Sequence, residues 1–367
     1  MKNIKNNSHD LEKIIKRHIS VFGPMTVAQY MSLALTHPQY GYYTNHNPFG
    51  KDGDFVTSPE ISQMFGEVLG AWMAHSWQTI DKPKPFRIVE LGPGRGTLMN
   101  DALRSASLQK GFCSSSSLHL IEISEKLIKL QESNINGFDI PINWHDSFTD
   151  VPSGPMILIA NEFFDALPIH QFEKTKQGWN ERLIDIDQED NFHFVLSSTN
   201  ISNSITLSQD IISAPIGSVV ETCPYGISLA AELAHRVIKN GGAILIIDYG
   251  ANLTIPKESW QSVYKHKFHS PLKNPGKSDI SAHVNFQSLK ESAIEAGAKV
   301  LGPIPQGIFL ENLGIRSRAD FLKQKSTHKQ AEEINNAYHR LVNSEDMGFL
   351  FQVLCISSHN FPHPAGF

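Results

Sequence analysis

The chain has 367 residues, of which 40% are hydrophobic and 19% charged, and these values are ordinary for a globular protein with a large core. Its formal net charge of −5 at pH 7 gives no reason to expect binding to nucleic acid. The three cysteines are far apart in sequence, which argues against a disulfide framework and against a C-x-x-C zinc site.

Nothing in the sequence indicates a metal site, a membrane span or a targeting segment. None of the 17 histidines has a convincing metal-ligand spacing. No apolar run reaches the roughly 18 residues that a membrane span needs. The first residues lack the apolar region of a signal peptide and the arginine and serine content of a transit peptide. We therefore expect a cytoplasmic protein with no metal and no stable membrane insertion.

A helical segment with an unusual loop is predicted at the N-terminus. Apolar side chains recur at helical spacing before and after Gly23, which is most simply explained by core packing. The loop at 40–60 is rich in glycine and aromatic residues, and Ser58 and Pro59 are typical of a helix start. Loops of this composition often close over ligands, and an ordered surface turn is the alternative interpretation. If it closes, Thr57 and Ser58 lie beside a bound cofactor.

An apolar strand that begins at residue 86 is the centre of the predicted fold. It leads into three glycines, Gly92, Gly94 and Gly96, and a helix follows at once. The next strand, at 118–123, carries Glu122 near its end. A strand, a glycine turn, a helix and a second strand that ends in a carboxylate are typical of a Rossmann-type nucleoside-cofactor site.

The residues around this turn favour S-adenosyl-L-methionine over a dinucleotide. The dinucleotide fingerprint has a glycine where this chain has Thr97, and Glu90 disfavours a pyrophosphate at the helix N-terminus. S-adenosyl-L-methionine has no phosphate and carries a sulfonium and an ammonium, which suit an acidic residue. Glu122 is able to accept hydrogen bonds from both ribose hydroxyls.

Polar residues follow two further predicted strands. Asp146 and Ser147 come after the third strand, in the loop that flanks the adenine in such sites, although Asp146 is also an ordinary turn residue. Asn161, Glu162 and Asp165 follow a buried strand that begins at residue 156. Because ligands bind beyond the carboxyl ends of strands in open α/β sheets, we expect these three to meet the methyl acceptor. Helix capping explains Asn161 or Asp165 equally well, but it does not explain Glu162.

The rest of the pattern completes an α/β chain with a Rossmann-like class I methyltransferase sheet, an N-terminal helical segment and β/loop insertions. The expected units are an N-terminal segment with the active-site loop at 1–80, a methyltransferase domain at 81–358 and a tail at 359–367. The methyltransferase domain contains two insertions, at about 171–225 and about 251–285. A single helix is predicted over 310–322, and the proline-containing tail is expected to be disordered.

With these motifs in place, the sequence resembles the MidA family of S-adenosyl-L-methionine-dependent methyltransferases over nearly its whole length. Two stretches are far more specific than a glycine turn, namely Gly-Asp-Phe-Val-Thr-Ser-Pro-Glu at 53–60 and Asn-Glu-Phe-Phe-Asp at 161–165. Further stretches that carry the resemblance lie at 41–43, 89–97, 121–124, 247–250, 279–286 and 347–354.

The resemblance implies the substrate, which composition and spacing do not. Mitochondrial members of the family are arginine methyltransferases that assist the assembly of respiratory complex I. By this resemblance the acceptor is an arginine on a partner protein, the product is symmetric dimethylarginine, and a complex I subunit is a candidate substrate. A homodimer is compatible with the chain, although no stretch indicates one.

Two other functions compete with this interpretation. The first is a S-adenosyl-L-methionine-binding assembly factor with little or no catalysis, since large insertions favour a protein partner under either function. The second is a nicotinamide-dependent oxidoreductase on the same fold, against which Thr97 and Glu90 count.

Overall fold

The computed structural model describes residues 7–45, 57–200, 211, 213–251, 257–264 and 267–367. Its strands are β1 (Met25–Thr26), β2 (Phe86–Leu91), β3 (Ser116–Ile121), β4 (Ile142–His145), β5 (Met156–Asn161), β6 (His170–Thr175), β7 (Gly178–Ile186), β8 (Phe192–Asn200), β9 (Val219–Thr222), β10 (Gly242–Ala251), β11 (Gln261–Tyr264), β12 (Lys267–His269), β13 (Asp279–Ser281), β14 (Val284–Asn285), β15 (Lys299–Pro305) and β16 (Phe351–Ser357). Its helices are α1 (Asn7–Phe22), α2 (Val27–Thr36), α3 (Tyr42–Asn45), α4 (Ser58–Ile61), α5 (Gln63–Thr79), α6 (Thr97–Ala106), α7 (Phe112–Ser115), α8 (Glu125–Asn134), α9 (Pro224–Asn240), α10 (Phe286–Glu295), α11 (Gln306–Asn312), α12 (Ile315–Lys323), α13 (His328–Val342) and α14 (Met347–Leu350).

The central sheet has the order β15-β16-β10-β5-β2-β3-β4, and β14 pairs with the end of β10. Strands β4, β3, β2, β5 and β10 are parallel, whereas β16 runs antiparallel between β10 and β15. Apart from β14 and β16, this is the Rossmann order, which reverses direction between β2 and β5. The expected α/β class is confirmed. Because ligands bind where the strand order of such a sheet reverses, a binding site is expected just after Leu91 and Asn161, the last residues of β2 and β5.

Helices cover both faces of the central sheet, so its middle strands are mostly apolar. Every residue of β5 is buried, as expected for a parallel strand packed on two sides. On one face α5 and α6 pack through Phe65 and Leu103, and on the other α9 and α10 pack through Leu233 and Phe286. The sheet is therefore a rigid base for the loops at its carboxyl edge.

The inserted strands form two smaller sheets, one of β1, β7, β6 and β9 with β8 paired to β7, and one of β12, β11 and β13. Helices α1 and α2, here called the N-terminal helices, pack against these insertions rather than against the central sheet. Leu11, Ile15 and Tyr30 share a buried cluster with Ile184 and Trp260. The N-terminal helices and the insertions together thus form a wall beside the central sheet.

Three local expectations differ from the structure. Thr57, not Ser58, is the N-cap of α4. The helix predicted over 310–322 is two helices, α11 and α12, because the chain turns at Gly314 with φ of 88°. The tail is not disordered: Phe361 is 3% exposed, and Trp72 Nε1 donates to the Ala365 carbonyl at 3.1 Å. Its aromatic side chains bury apolar surface despite the prolines.

Parts of the predicted loop and insertions, residues 46–56, 201–210 and 252–256, lie outside the described residues. Among the residues that are described, none of the helices combines the length and the apolar character needed to cross a membrane.

Candidate functional site

A cavity of about 470 Å³ lies at the carboxyl edge of the central sheet, between its strand ends and helices α2 and α9. Its volume falls within the range of about 300–1,000 Å³ that is usual for small-molecule sites. The structure brings most of the predicted site residues together there, namely Thr57, Gly92, Gly94, Glu122, Asp146, Ser147, Glu162 and Asp165.

A smaller cavity of about 40 Å³ adjoins it behind the glycine turn and is lined by Glu90 and Asn161. Thr57 and Glu162 contact both cavities, so the two spaces form one site. The lining of this site, as far as the chain is described, does not include Ser58 or Gly96. Gly96 instead forms the N-cap of α6 with φ of 79°.

The glycine turn needs Gly92 for two physical reasons. Its φ of 62° lies in the left-handed region that side chains disfavour, and a Cβ there would lie 2.8 Å from the ring of Phe163. Gly92 thus lets the turn after β2 approach the loop after β5. The two loops at the reversal point of the sheet are packed directly against each other.

Glu122 follows β3 and is held in one orientation by the chain around it. Its Oε1 accepts from the Ser124 N–H at 2.8 Å, and its Oε2 accepts from Gln131 Nε2 at 3.2 Å. Gln131 Nε2 also donates to the Gly94 carbonyl at 2.7 Å, which ties Glu122 to the glycine turn. Burial raises the pKa of the Glu122 carboxyl, although these hydrogen bonds oppose the shift. Each oxygen retains a lone pair for a ligand hydroxyl.

Glu90, near the end of β2, is 3% exposed, and burial alone raises its pKa to about 8. Its Oε2 has no hydrogen-bond partner within the described part of the chain, and the same holds for Oδ1 of Asn161 and Oδ1 of Asp165. Buried acceptors without donors cost free energy. These three atoms therefore fit a ligand that brings N–H donors and positive charge.

Glu162 stands directly after β5 in a left-handed conformation with φ of 51°, which is uncommon for a residue with a side chain. Its Oε1 accepts from the Ser58 N–H at 2.9 Å and from Asn161 Nδ2 at 3.3 Å. Burial raises the pKa of Glu162 to about 7 despite these two donors. The strained backbone directs the carboxyl into the space between the two cavities.

The loop after β5 is fixed by Asp248, which lies on β10 and is fully buried. Asp248 Oδ2 accepts the backbone N–H groups of Phe163, Phe164 and Asp165 at 3.2, 2.9 and 3.2 Å. Burial raises the pKa of Asp248 to about 8, and the same cause, together with neighbouring carboxyls, raises the pKa of Asp165 well above its ordinary value. Asp248 was not among the predicted site residues, although its place at a strand end was visible in the sequence.

Two more residues of the cavity were not predicted as site residues, Tyr43 of α3 and Asp279 at the start of β13. The Tyr43 hydroxyl donates to Asp279 Oδ1 at 2.9 Å. They are separated by 236 positions in sequence, so no local pattern brings them together. Tyr249 also lines the cavity, and its place after the buried part of β10 was a usable signal.

The residues present fit S-adenosyl-L-methionine. Acidic and acceptor groups surround the glycine turn at Glu90, Asn161 and Glu162, where a sulfonium and an ammonium would restore the buried carboxylates to their charged form. Glu122 lies where ribose hydroxyls need acceptors, and Asp146 lines the same cavity. Such an acidic surface disfavours a pyrophosphate.

Comparisons with known proteins agree with this chemistry. Residues 68–304 match the family model described as "Putative S-adenosyl-L-methionine-dependent methyltransferase". Among curated relatives, "Protein arginine methyltransferase NDUFAF7, mitochondrial" of Danio rerio is 39% identical over 95% of this chain and 88% of its own length. The protein of that name from Homo sapiens is 37% identical over 92% of this chain and 81% of its own length.

A solved chain from Burkholderia thailandensis, described as a "likely methyl transferase" bound to S-adenosyl-homocysteine, has the same fold. It matches with a TM-score of 0.84 and 24% identity over 100% of this chain and 96% of its own. The cytoplasmic location expected from the sequence is wrong, because the curated relatives are named as mitochondrial proteins. The character of the first residues was therefore an unsuitable basis for a statement about location.

Proposed function

The chain belongs to the family of S-adenosyl-L-methionine-dependent methyltransferases, and from this we propose that it methylates arginine on a partner protein. The observation that carries the proposal is the pair of carboxyls, the half-buried Glu162 and the buried Asp165, in the cavity that the glycine turn also lines. The names of the curated relatives support an arginine acceptor. The family assignment leaves no reason to keep the nicotinamide-dependent alternative.

The chemistry requires positioning more than covalent catalysis. Bound S-adenosyl-L-methionine would supply an activated methyl group for an attacking nitrogen, with a neutral thioether as the leaving group. Glu162 and Asp165 hold the planar guanidinium by charge-assisted hydrogen bonds and draw its positive charge away from the attacking nitrogen. A carboxylate of this pair takes the proton that the methylated nitrogen releases. Asn161 orients Glu162 through its 3.3 Å hydrogen bond.

We assign the cofactor-binding roles to the residues that meet the cavity along its glycine side. Glu122 accepts from the ribose, Asp146 and Ser147 flank the adenine, and Glu90 faces the positively charged end of the cofactor. Thr57 closes the side opposite the glycines. Gly92 and Gly94 form part of the cavity surface. Ser58 acts through its backbone N–H, which donates to Glu162, and Gly96 acts as the N-cap of α6.

The acceptor is further specified only by the resemblance. Symmetric dimethylarginine is the product that it implies, and a subunit of respiratory complex I is the candidate substrate. A homodimer is compatible with both. The alternative function is a S-adenosyl-L-methionine-binding assembly factor with little or no catalysis, which the large inserted sheets favour because they offer surface to a protein partner.

Methyl transfer to a partner tests the proposal and separates these alternatives. The purified chain is incubated with S-adenosyl-L-methionine labelled in its methyl group and with isolated complex I subunits, followed by acid hydrolysis and chromatography of the labelled amino acids. Label in dimethylarginine supports the proposal. Saturable cofactor binding without any label in protein contradicts it and favours the assembly factor.

A further inference from the structure

Three segments that are distant in sequence meet at the wall of the large cavity. The Ala282 N–H, just after β13, donates to the Asp165 carbonyl at 3.0 Å, so β13 is attached to the loop after β5. Tyr43 of α3 donates to Asp279 at 2.9 Å. The side chains of Tyr43, Asp165 and Asp279 all line the cavity there. The N-terminal segment and an insertion thereby form one wall with the predicted catalytic loop.

We infer that Asp279 is a third acceptor-binding carboxylate and that Tyr43 is the positioning residue that fixes it, so that this wall selects a positively charged planar group. The inference rests on the proposed function, because it specifies further residues of the same acceptor site. Tyr43 and Asp279 lie in stretches that carry the family resemblance, at 41–43 and 279–286, but neither was predicted as a site residue.

The unfilled hydrogen-bonding capacity of Asp165 points to a ligand at this wall. Its side chain is 9% exposed, it lines the cavity, and its Oδ1 has no hydrogen-bond partner within the described part of the chain. Burial and the charges of Asp248, Asp279 and Glu162 raise the pKa of Asp165 well above its ordinary value, although a hydrogen bond with Tyr249 opposes the shift. Such a group of carboxyls is stable only with protons or with a cation among them.

A guanidinium has the geometry to satisfy this arrangement. It presents five N–H donors in one plane, and only one nitrogen attacks the methyl group, so the other nitrogens need acceptors away from the cofactor. Oε1 of Glu162 already accepts from Ser58 and Asn161. Glu162, Asp165 and Asp279 all line the same cavity, so three carboxyls face the space that a guanidinium would occupy.

Asp279 is held firmly enough to discriminate between ligands. Its Oδ1 accepts from the Tyr43 hydroxyl at 2.9 Å and from the Ile280 N–H at 3.0 Å. Two fixed donors keep the carboxyl in one orientation, which lowers the entropy lost when a ligand binds. An ammonium is a compact point charge and satisfies several carboxyls around one ligand less well than a planar fork of donors does.

The test compares two small probes of nearly the same shape, methylguanidinium and neutral methylurea. The full chain, saturated with S-adenosyl-L-homocysteine, is titrated with each probe, and binding is followed by ligand-observed NMR. The variants are Asp279→Asn, Asp279→Glu and Tyr43→Phe. Asp320→Asn is the matched control, because Asp320 is exposed and forms a salt bridge with Lys323 at 2.8 Å on α12.

The wild-type chain and the Asp320→Asn control should prefer methylguanidinium by at least about tenfold. Asp279→Asn should lose most of this preference, Asp279→Glu should restore part of it, and Tyr43→Phe should reduce it by about two- to fivefold, all with unchanged affinity for S-adenosyl-L-homocysteine. A merely structural role would not alter the choice between two probes of the same shape.

An Asp279→Asn variant with the wild-type preference overturns the inference and leaves the arginine proposal intact. If Asp279→Asn does not fold, an unchanged preference in Tyr43→Phe overturns it in the same way. A wild-type chain that binds S-adenosyl-L-homocysteine but shows no preference for methylguanidinium contradicts the arginine acceptor itself, and the inference with it.

Discussion

The backbone N–H of Ser58 donates to Oε1 of Glu162 at 2.9 Å, although the two residues are 104 positions apart. This bond joins helix α4 to the chain directly after the central strand β5. Together with the φ of 51° at Glu162, it holds the carboxyl toward the cavity. The position of Glu162 therefore depends on parts of the chain that only tertiary folding brings together.

Replacing Glu162 by glutamine should reduce turnover by about 100-fold or more, because a neutral amide neither holds a guanidinium by a charge-assisted bond nor accepts its proton. The amide oxygen still accepts from Ser58, so the fold and the affinity for S-adenosyl-L-methionine should change little. Initial rates and calorimetric titration measure both effects. Glu295→Gln, an exposed change on α10, is the control, and full turnover in Glu162→Gln would refute the role assigned here.

Replacing Glu122 by alanine should weaken S-adenosyl-L-methionine binding by about 10- to 100-fold, since hydrogen bonds to a charged group contribute about 1.5–3 kcal/mol each. The change also leaves the donors of Ser124 and Gln131 unpaired, so the free energy of unfolding should fall by about 1–3 kcal/mol. Titration calorimetry and thermal unfolding are both needed. Titration with NAD on the same protein should give no signal, and an unchanged affinity in the folded variant would remove Glu122 from the site.

The sequence predicted the parts of this site that depend on local patterns. Strand β2, the glycine turn and the acidic residues at strand ends all follow from short-range rules, because parallel strands of a sheet present their carboxyl ends at one edge. Residues such as Gly92 and Glu122 therefore lie where the sequence predicted. The family resemblance then supplied a substrate class that no residue spacing contains.

The rest of the site depends on contacts that no periodicity encodes. Tyr43 meets Asp279 across 236 positions, and β13 reaches the cavity only because the inserted sheets pack against the N-terminal helices. Asp248 was visible at a strand end, yet its three bonds to the loop after β5 require the pairing of β10 with β5. Such relationships appear only once the insertions are folded against the central sheet.

The buried Glu90 should make the stability of the ligand-free protein depend on pH. Its pKa is about 8 in the folded chain and close to its ordinary 4.5 when unfolded, so the folded state binds the extra proton. The stability from this protonated carboxyl is fully present below about pH 4.5 and is lost as the pH rises through about 8. Thermal unfolding of the wild type between pH 5 and 9 should show this loss.

The neutral Glu90→Gln variant is the reference for that titration. Its unfolding curve should lack this component, so the stability of the wild type relative to the variant should fall by a few kcal/mol across the range. Saturating S-adenosyl-L-methionine should reduce the difference, because a nearby positive charge favours the carboxylate. Parallel pH profiles for the two proteins would show that Glu90 is not protonated in the folded state.

Asp248→Asn should disrupt the loop that carries the proposed catalytic residues while the cofactor side remains intact. The carboxylate accepts three N–H groups through Oδ2 and the Tyr249 N–H at 2.9 Å through Oδ1, and an asparagine has only one oxygen for these donors. The amide group leaves at least one buried donor unpaired, which costs about 1–3 kcal/mol. Turnover should fall by more than about tenfold, whereas the affinity for S-adenosyl-L-methionine should change by less than about threefold.

The control for this change is Asp185→Asn on β7. Oδ1 of Asp185 also accepts a backbone N–H, that of Ile186 at 2.8 Å, but Asp185 lies in the inserted sheet and does not line the cavity. Denaturant unfolding, initial rates and calorimetric titration should be measured on both variants. The expected result is a loss of stability and of turnover in Asp248→Asn and little change of either in Asp185→Asn, because the amide oxygen of asparagine still accepts the single N–H of Ile186. Equal loss of turnover in the two would mean that Asp248 acts through general stability, because only a specific role of the loop after β5 separates the two aspartates.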